Sequence, residues 1–525
     1  MNSDPLHASS GTRRPSALHR SRGIRVAIAA VATLGVLGSA CGNDSGGNAN
    51  GGKETGTEGS SLVNADDCPV KALYDATSPV EITVWHAWLG KARKNLEDLA
   101  TKFNESQDKV IVHVESQGSG YEEMHKKYTD AMATPESLPD FILSQDTNTQ
   151  FMIDSDTVIP AAACVKADPE SEATYADFNP AVVAAYTVED VMWPATFHVS
   201  QPVLYINRNH FKAAGLDPDN PPKTLAEVRA AAEAIMAAKD KGVPELQGVS
   251  NPMVLRLDSA WMENWVTGAG ANMVNNDNGR SGLATESEMM DPKVKESFEW
   301  LKKMADDKLL NAVPFTNQFG QLFAMALGQS SILIETSTAI TTVDAAIEGT
   351  LTNEDVGAEN LGIDLSTVKV DTLDVGVGGG PGFTGEGLGQ VGGAAGYLVD
   401  RGKPESIAAA WAFTKFLNEA PQQVAFTLEG SYLPIRKAAR KDAALEKEFT
   451  STRRGKWLAI AADAIDNLDA EHPGPVVGPY NEFRDIYRKA LESVTTQGSS
   501  ADQVLTDSNT KFNEALAAYK KDLGG

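Results

Sequence analysis

The chain has 525 residues, with 71 acidic against 46 basic side chains, a formal charge of −25 and 42% hydrophobic residues. So negative a surface excludes a general nucleic-acid binder, because phosphate backbones require a basic face. It leaves room for a small anionic ligand, since one local arginine outweighs distant charge screened within about 8–10 Å. The length suffices for two domains with substantial cores.

The N-terminus carries Arg13, Arg14, Arg20, Arg22 and Arg25, then the apolar run 26–37, then Gly38, Ser39, Ala40 and Cys41. A charged stretch, a short apolar core and small residues before a cut form an export signal. The core falls short of the roughly 20 residues that span a membrane. A cysteine directly after the cut resembles the bacterial lipobox, which implies acylation of Cys41 and a lipid-anchored protein on the outer face of the cytoplasmic membrane. Gly38 departs from the aliphatic residue usual three places before that cysteine, so plain secretion is the alternative. Residues 42–61 hold no apolar side chain larger than alanine and act as a flexible spacer. Residues 1–40 are thus a signal peptide and 41–66 a tether, with the folded body beginning near Asp67. Of the remaining cysteines, Cys68 and Cys164 are expected to pair as a disulfide in an oxidising compartment.

The body alternates strand and helix patterns. Residues 80–85 and 110–114 read as strands around a helix at 91–104, whose Leu96, Leu99, Ala100 and Phe103 share one face. A helix at 121–132 and a strand at 139–143 follow, and this order predicts a mainly parallel sheet covered by helices. Further strands are expected at 203–206, 331–334 and 374–377, and helices at 225–239, 293–306, 406–417, 422–428 and 480–495.

Catalytic signatures are missing. There is no H-E-x-x-H, Walker loop or G-x-S-x-G, and the eight histidines have no zinc-binding spacing. Residues 275–279 (NNDNG) look faintly like a calcium loop, but the register puts Val274 and Thr285 where carboxylates belong, so a polar turn accounts for them better. No metal and no cofactor is expected.

The segment 203–208 (VLYINR) followed by 210–218 (HFKAAGLDP) and 221–224 (PPKT) resembles the extracellular solute-binding proteins of ABC importers. The resemblance extends to 83–86 (TVWH), 120–123 (GYEE), 392–397 (GGAAGY), 411–417 (WAFTKFL) and 430–436 (GSYLPIR), in the order of the branch that binds carbohydrates and sn-glycerol-3-phosphate. It implies a type II two-lobed α/β clamp, with a ligand cleft between the lobes and chain crossings near residues 200–203, 337 and 393–399. Lobe 1 would comprise 67–201 and 338–395, and lobe 2 202–337 and 396–525. The implied partners are a small carbohydrate or polyol and the permease subunits of an importer, with the protein a monomer.

Carried over motif by motif, the resemblance puts Tyr121, Asp146, Ser200, Ser337, Gly393 and Tyr432 at the ligand. A carboxylate that accepts from vicinal hydroxyls, with serine and backbone donors, suits a polyol. The branch grips phosphate with an arginine where this chain has Val476, leaving Arg436, Arg453, Arg454 and Arg484 as replacements and favouring a neutral sugar over a phosphorylated polyol. Trp193 and Trp261 are the aromatic candidates for stacking on a sugar face, with core packing the rival role for both. His86 and His198 lie beside these segments and are read as structural. The alternative function is a secreted glycosidase, which needs two opposed acids, with Asp146 and either Glu335 or Glu123 the conceivable pair.

Overall fold

The computed structural model describes residues 63–357, 365, 370, 373–387 and 389–524, so Cys41, the signal peptide and most of the tether lie outside the described residues. The ordered body begins slightly before Asp67: Val63 is buried and its carbonyl accepts a hydrogen bond from Lys166 Nζ at 2.8 Å. A disulfide joins Cys68 to Cys164, with Cα atoms 5.0 Å apart, and pins this entry segment to the first lobe.

Ten strands build two sheets. In chain order they are β1 (Val80–His86), β2 (Val110–Ser116), β3 (Phe141–Gln145), β4 (Val158–Ile159), β5 (Pro202–Asn207), β6 (Met253–Arg256), β7 (Leu310–Val313), β8 (Ile332–Thr336), β9 (Val375–Gly379) and β10 (Ala394–Val399). The first sheet has the order β2-β1-β3-β10-β4 and the second β7-β6-β8-β5-β9. Within β1 the buried Val80, Ile82 and Val84 alternate with more exposed neighbours, and β1 runs parallel to β2 from Val80↔Val110 to His86↔Ser116. The helix Gly90–Ser106 closes this βαβ unit and buries Leu96, Leu99, Ala100 and Phe103, the face its periodicity marks. The helix Leu225–Asp240 starts on a capping box, in which Thr224 Oγ1 accepts from Glu227 N–H and Glu227 accepts from Thr224 N–H.

Both sheets are mixed. β2, β1 and β3 are parallel, as are β7, β6 and β8, but β10 joins β3 and β4 antiparallel, and β5 lies antiparallel to β8 and β9. These antiparallel strands flank the chain crossings.

The division of the C-terminal half differs from the expectation that 338–395 would join lobe 1 and 396–525 lobe 2. β9 pairs with β5 in the second sheet, so the chain returns to the first sheet only between residues 380 and 393. After β10 it continues on the first sheet, where the helix Pro404–Leu417 buries Ala409, Trp411 and Phe413 in the first core, and it crosses back only near its C-terminal end. The helices Tyr480–Thr496 and Ala501–Asp522 pack in the second core through Tyr487, Leu491 and Phe512. Hydrogen-bonding partners, which sequence order does not reveal, decide these memberships.

Candidate ligand-binding site

The three crossings lie side by side. Ser200 and Gly392 exchange backbone hydrogen bonds of 2.7 and 2.9 Å. Ser337 N–H donates to Gln201 O at 2.8 Å, while its Oγ accepts from Gln201 N–H at 3.3 Å and donates to Ser431 O at 3.4 Å. Parallel strands present their C-terminal ends to the crevice in folds of this kind, which is where loop residues meet ligand. Asp146 directly follows β3, and its N–H donates to Gly393 O at 3.2 Å.

Gly393 has φ +120°, and a Cβ there would approach Tyr432 Cε1 at 3.4 Å and Ser200 N at 3.5 Å, so a glycine allows the Tyr432 ring to lie against the crossing. Behind it sits an aromatic nest. Trp88 Nε1–H donates to Tyr121 Oη at 2.8 Å, and Trp88, His198 and Phe426 ring centroids lie 5.3, 4.6 and 5.4 Å from that of Tyr432. Burial lowers the His198 pKa to about 3 and, with help from Arg93, that of His86 to about 4, so both rings are neutral structural groups. Burial pushes the half-buried Asp146 carboxyl up to about 7, although Thr147 N–H donates to its Oδ1 at 3.0 Å.

The opposite wall comes from the second lobe. A small cavity is bounded by Asp146, Thr147, Thr149 and Tyr186 on one side and by Arg280, Gln390 and residues 474–476 on the other. Beyond it lies a buried charged cluster. Arg484 Nη2–H donates to Asp258 Oδ2 at 2.6 Å and its Nη1–H to Gln145 Oε1 at 2.7 Å, while Arg488 reaches Glu122 at 2.7 Å and Asp258 at 3.3 Å. Gln145 and Glu122 belong to the first lobe, so the helix Tyr480–Thr496 ties the lobes together. Burial opposes ionisation of Asp258, but Arg484, Arg488 and Arg256 outweigh it and hold the carboxyl down at about 2. Tyr480 Oη–H donates to Glu263, whose carboxyl burial pushes up.

The structure thus gathers Tyr121, Asp146, Ser200, Gly393 and Tyr432 around one end of the cleft. Ser337 is fully buried with its hydroxyl engaged, so it braces the crossing. Trp193 and Trp261 must be corrected. Trp193 packs against the first core, and Trp261 is 4% exposed in the second core with Nε1–H donating to Arg256 O at 2.8 Å. Their flanking loops suggested exposure, but Trp261 is sealed in its core, while Trp193 is partly buried at the margin of the first core and does not line the cavity. Of the proposed arginines, Arg436, Arg453 and Arg454 are held by Asp177, Asp344 and Glu448, and only Arg484 stands near Asp146. Glu335 is buried on Gln321 and Thr336 N–H, and Glu123 pairs with Lys127, so neither lines the cavity with Asp146. Sequence reasoning missed Arg280 and Gln390; the one signal for Arg280 was the turn 275–279 directly before it.

A larger, almost wholly apolar cavity lies behind the second sheet, walled by Tyr205, Leu333, Val343 and Val375 among others. It offers no convergent polar groups, which is what a site specific for a polar solute needs.

Two lobes joined by three adjacent crossings, with a polar cavity between them, define a clamp-type binding protein. The sequence matches the bacterial extracellular solute-binding protein family over residues 98–451, and the chain belongs to that family. It is similar to the sn-glycerol-3-phosphate-binding periplasmic protein UgpB of Brucella melitensis, 23% identical over 451 residues, covering 84% of this chain and 94% of the relative. The UgpB of Rhizobium meliloti is 24% identical over 453 residues, covering 85% and 96%. Among solved structures, UgpB from Mycobacterium tuberculosis in complex with glycerophosphocholine superposes with a TM-score of 0.63 at 16% identity, over 85% of this chain and 100% of that one. The cyclic alpha-maltosyl-1,6-maltose binding protein from Arthrobacter globiformis gives a TM-score of 0.63 at 18% identity, over 84% and 99%.

Proposed function

We propose that this protein is the substrate-binding component of an ABC importer, which captures a hydroxylated carbohydrate or polyol in the cleft and delivers it to a membrane permease. The observation that carries this reading is the Asp146 end of the cleft: a half-buried carboxylate against the crossing at Gly393, in a cavity with polar groups from both lobes. A ligand that bonds to both walls favours the closed arrangement by its differential affinity for it, and closure around the hinge is the signal a permease reads. Ionised Asp146 accepts from ligand hydroxyls, with Tyr121 and Tyr432 packed behind the crossing at Gly393. Acylation of Cys41 would hold the monomer at the outer face of the membrane, with residues 42–61 as the spacer.

The test is a thermal-shift panel of trehalose, maltose, glycerol, sn-glycerol-3-phosphate and glycerophosphocholine on the purified mature protein. A true ligand at about 100 times its Kd adds roughly 2.7 kcal/mol of stability, a clear shift of the melt. Turnover of any of these compounds by the purified protein would overturn the reading in favour of an enzyme.

A further inference from the structure

The turn at 275–279 is more than a polar linker. Asn276, Asp277 and Asn278 have φ of +56°, +52° and +58°, and Gly279 follows at +81°. Three consecutive non-glycine residues in the left-handed region are unfavourable, and such conformations persist only where the surroundings hold them. Here they do. Asn278 Oδ1 accepts from Met273 N–H at 2.8 Å, its Nδ2–H donates to Pro473 O at 3.3 Å, and its carbonyl accepts from Val476 N–H at 2.8 Å. A Cβ at Gly279 would stand 1.9 Å from Val476 O. The turn is therefore locked beneath the loop 473–478, and the next residue, Arg280, is sent into the cleft.

The guanidinium of Arg280 is fixed by backbone carbonyls alone. Nε–H donates to Gly474 O at 2.9 Å, Nη1 donates to Ala184, Ala185 and Thr187 carbonyls at 3.0, 3.1 and 3.1 Å, and Nη2 donates to Gly474 O. Among the described residues no carboxylate lies within ion-pair distance, and Nη2 keeps a second hydrogen for another acceptor. Burial lowers the pKa of this group to about 10, a fall that the more distant Asp277 and Asp146 carboxylates oppose without reversing. On the same cavity Thr147 Oγ1 is buried without a hydrogen-bond partner, and Tyr186 Oη, on a side chain 1% exposed, has only the Thr196 hydroxyl beside it, too poorly placed for a full hydrogen bond. Buried donors are left unsatisfied so rarely that two such hydroxyls beside a cation without an ion-pair partner call for an acceptor.

We propose that Arg280, Tyr186 and Thr147 form a phosphoryl-binding end of the cleft, so that the ligand is a polyol bearing a phosphoryl group. This rests on the solute-binding reading above and sharpens its ligand class. Three donors from separate elements suit a group with several terminal oxygens better than a neutral hydroxyl, which needs only one or two partners. Asp146, on the same cavity, then takes the polyol hydroxyls. The cation expected at 476 is supplied from the strained turn whose Asn278 hydrogen-bonds Val476 itself, and the preference for a neutral sugar is replaced.

The test is calorimetric titration of the mature protein and its Arg280→Gln, Arg280→Lys and Tyr186→Phe variants with sn-glycerol-3-phosphate, glycerophosphocholine, glycerol, trehalose and maltose. The wild type should bind one of the two phosphorylated compounds at least 100-fold more tightly than glycerol and the sugars, and the two separate a monoester from a diester site. Losing a charge-assisted bond should weaken that ligand about 10- to 100-fold in Arg280→Gln and about 10-fold in Tyr186→Phe, with Arg280→Lys between Arg280→Gln and the wild type. A neutral sugar bound as tightly as the phosphorylated compounds overturns the proposal and leaves the solute-binding reading standing. Equal weakening of charged and neutral ligands by Arg280→Gln also overturns it, making Arg280 a strut between lobes. If Arg280→Gln does not fold, the wild-type preference and Tyr186→Phe decide. No binding by any compound sinks both readings together.

Discussion

Asp146 should trade stability for binding, and Asp146→Asn exposes the trade. Its carboxyl is raised by burial to about 7 from an ordinary 3.8. The folded chain therefore holds a proton between about pH 4 and 7 that the unfolded chain has released, and stability falls as pH rises through that window. At 1.36 kcal/mol per pKa unit the full cost above pH 7 is about 4 kcal/mol, and water reaching this half-buried side chain reduces it to about 2 kcal/mol. Asparagine keeps an Oδ1 to accept from Thr147 N–H but never ionises. Asp146→Asn should thus be more stable than the wild type by about 2 kcal/mol at pH 8, roughly a 2 °C rise in Tm for a chain of this size, and no more stable near pH 4. It should also lose 10-fold or more in ligand affinity, because the amide accepts less strongly than a carboxylate. Calorimetric melts of both proteins at pH 4 and 8, each with and without ligand, read all of this. A variant less stable than the wild type at pH 8, or one binding ligand as tightly, would refute the assignment of Asp146 as a ligand-facing carboxylate.

Other perturbations follow from the same contacts. Asp258→Asn leaves Arg484 and Arg488 buried without their counter-charge and should cost about 3–5 kcal/mol in urea unfolding. The wild-type Asp258 contribution is present above about pH 4 and is lost as pH falls through its folded value of about 2, so the variant should lack that acid-limb loss. Cys164→Ser opens a loop closed across a separation of 96 residues and should lower stability by about 2–4 kcal/mol, while added reductant should shift the wild-type melt alone. Trp261→Phe should cost about 1 kcal/mol for its bond to Arg256 O and leave ligand affinity within 2-fold, as a core residue must.

The strands and helices with strong periodicity were legible. Pro202–Asn207, Gly90–Ser106, Pro292–Asp306 and Tyr480–Thr496 form within one or two residues of where apolar spacing places them. Met253–Arg256 and Leu310–Val313 were missed because each is four residues long, too short for alternation to stand out. The helix Ala501–Asp522 was missed because its buried Leu505, Phe512 and Leu516 are spread thinly among charged and small residues. The boundary between lobes in the C-terminal half depends on which strand Val375–Gly379 and Ala394–Val399 choose as partners, a long-range property. At the site, the motif resemblance led to the crossing residues and Tyr432. Arg280 escaped because its role arises from backbone carbonyls at 184–187 and 474, and carbonyls leave no mark in a sequence. Trp261 went the other way: an indole beside loop segments looks available until the core it fills is in place.

The most direct measurement is a crystal structure of the mature protein with the compound that gives the largest thermal shift. Ligand is expected between the lobes, with hydroxyls on Asp146 and its far end against Arg280 and Tyr186. Ligand bound elsewhere, for instance in the apolar cavity behind the second sheet, with the cleft filled by water, would contradict it.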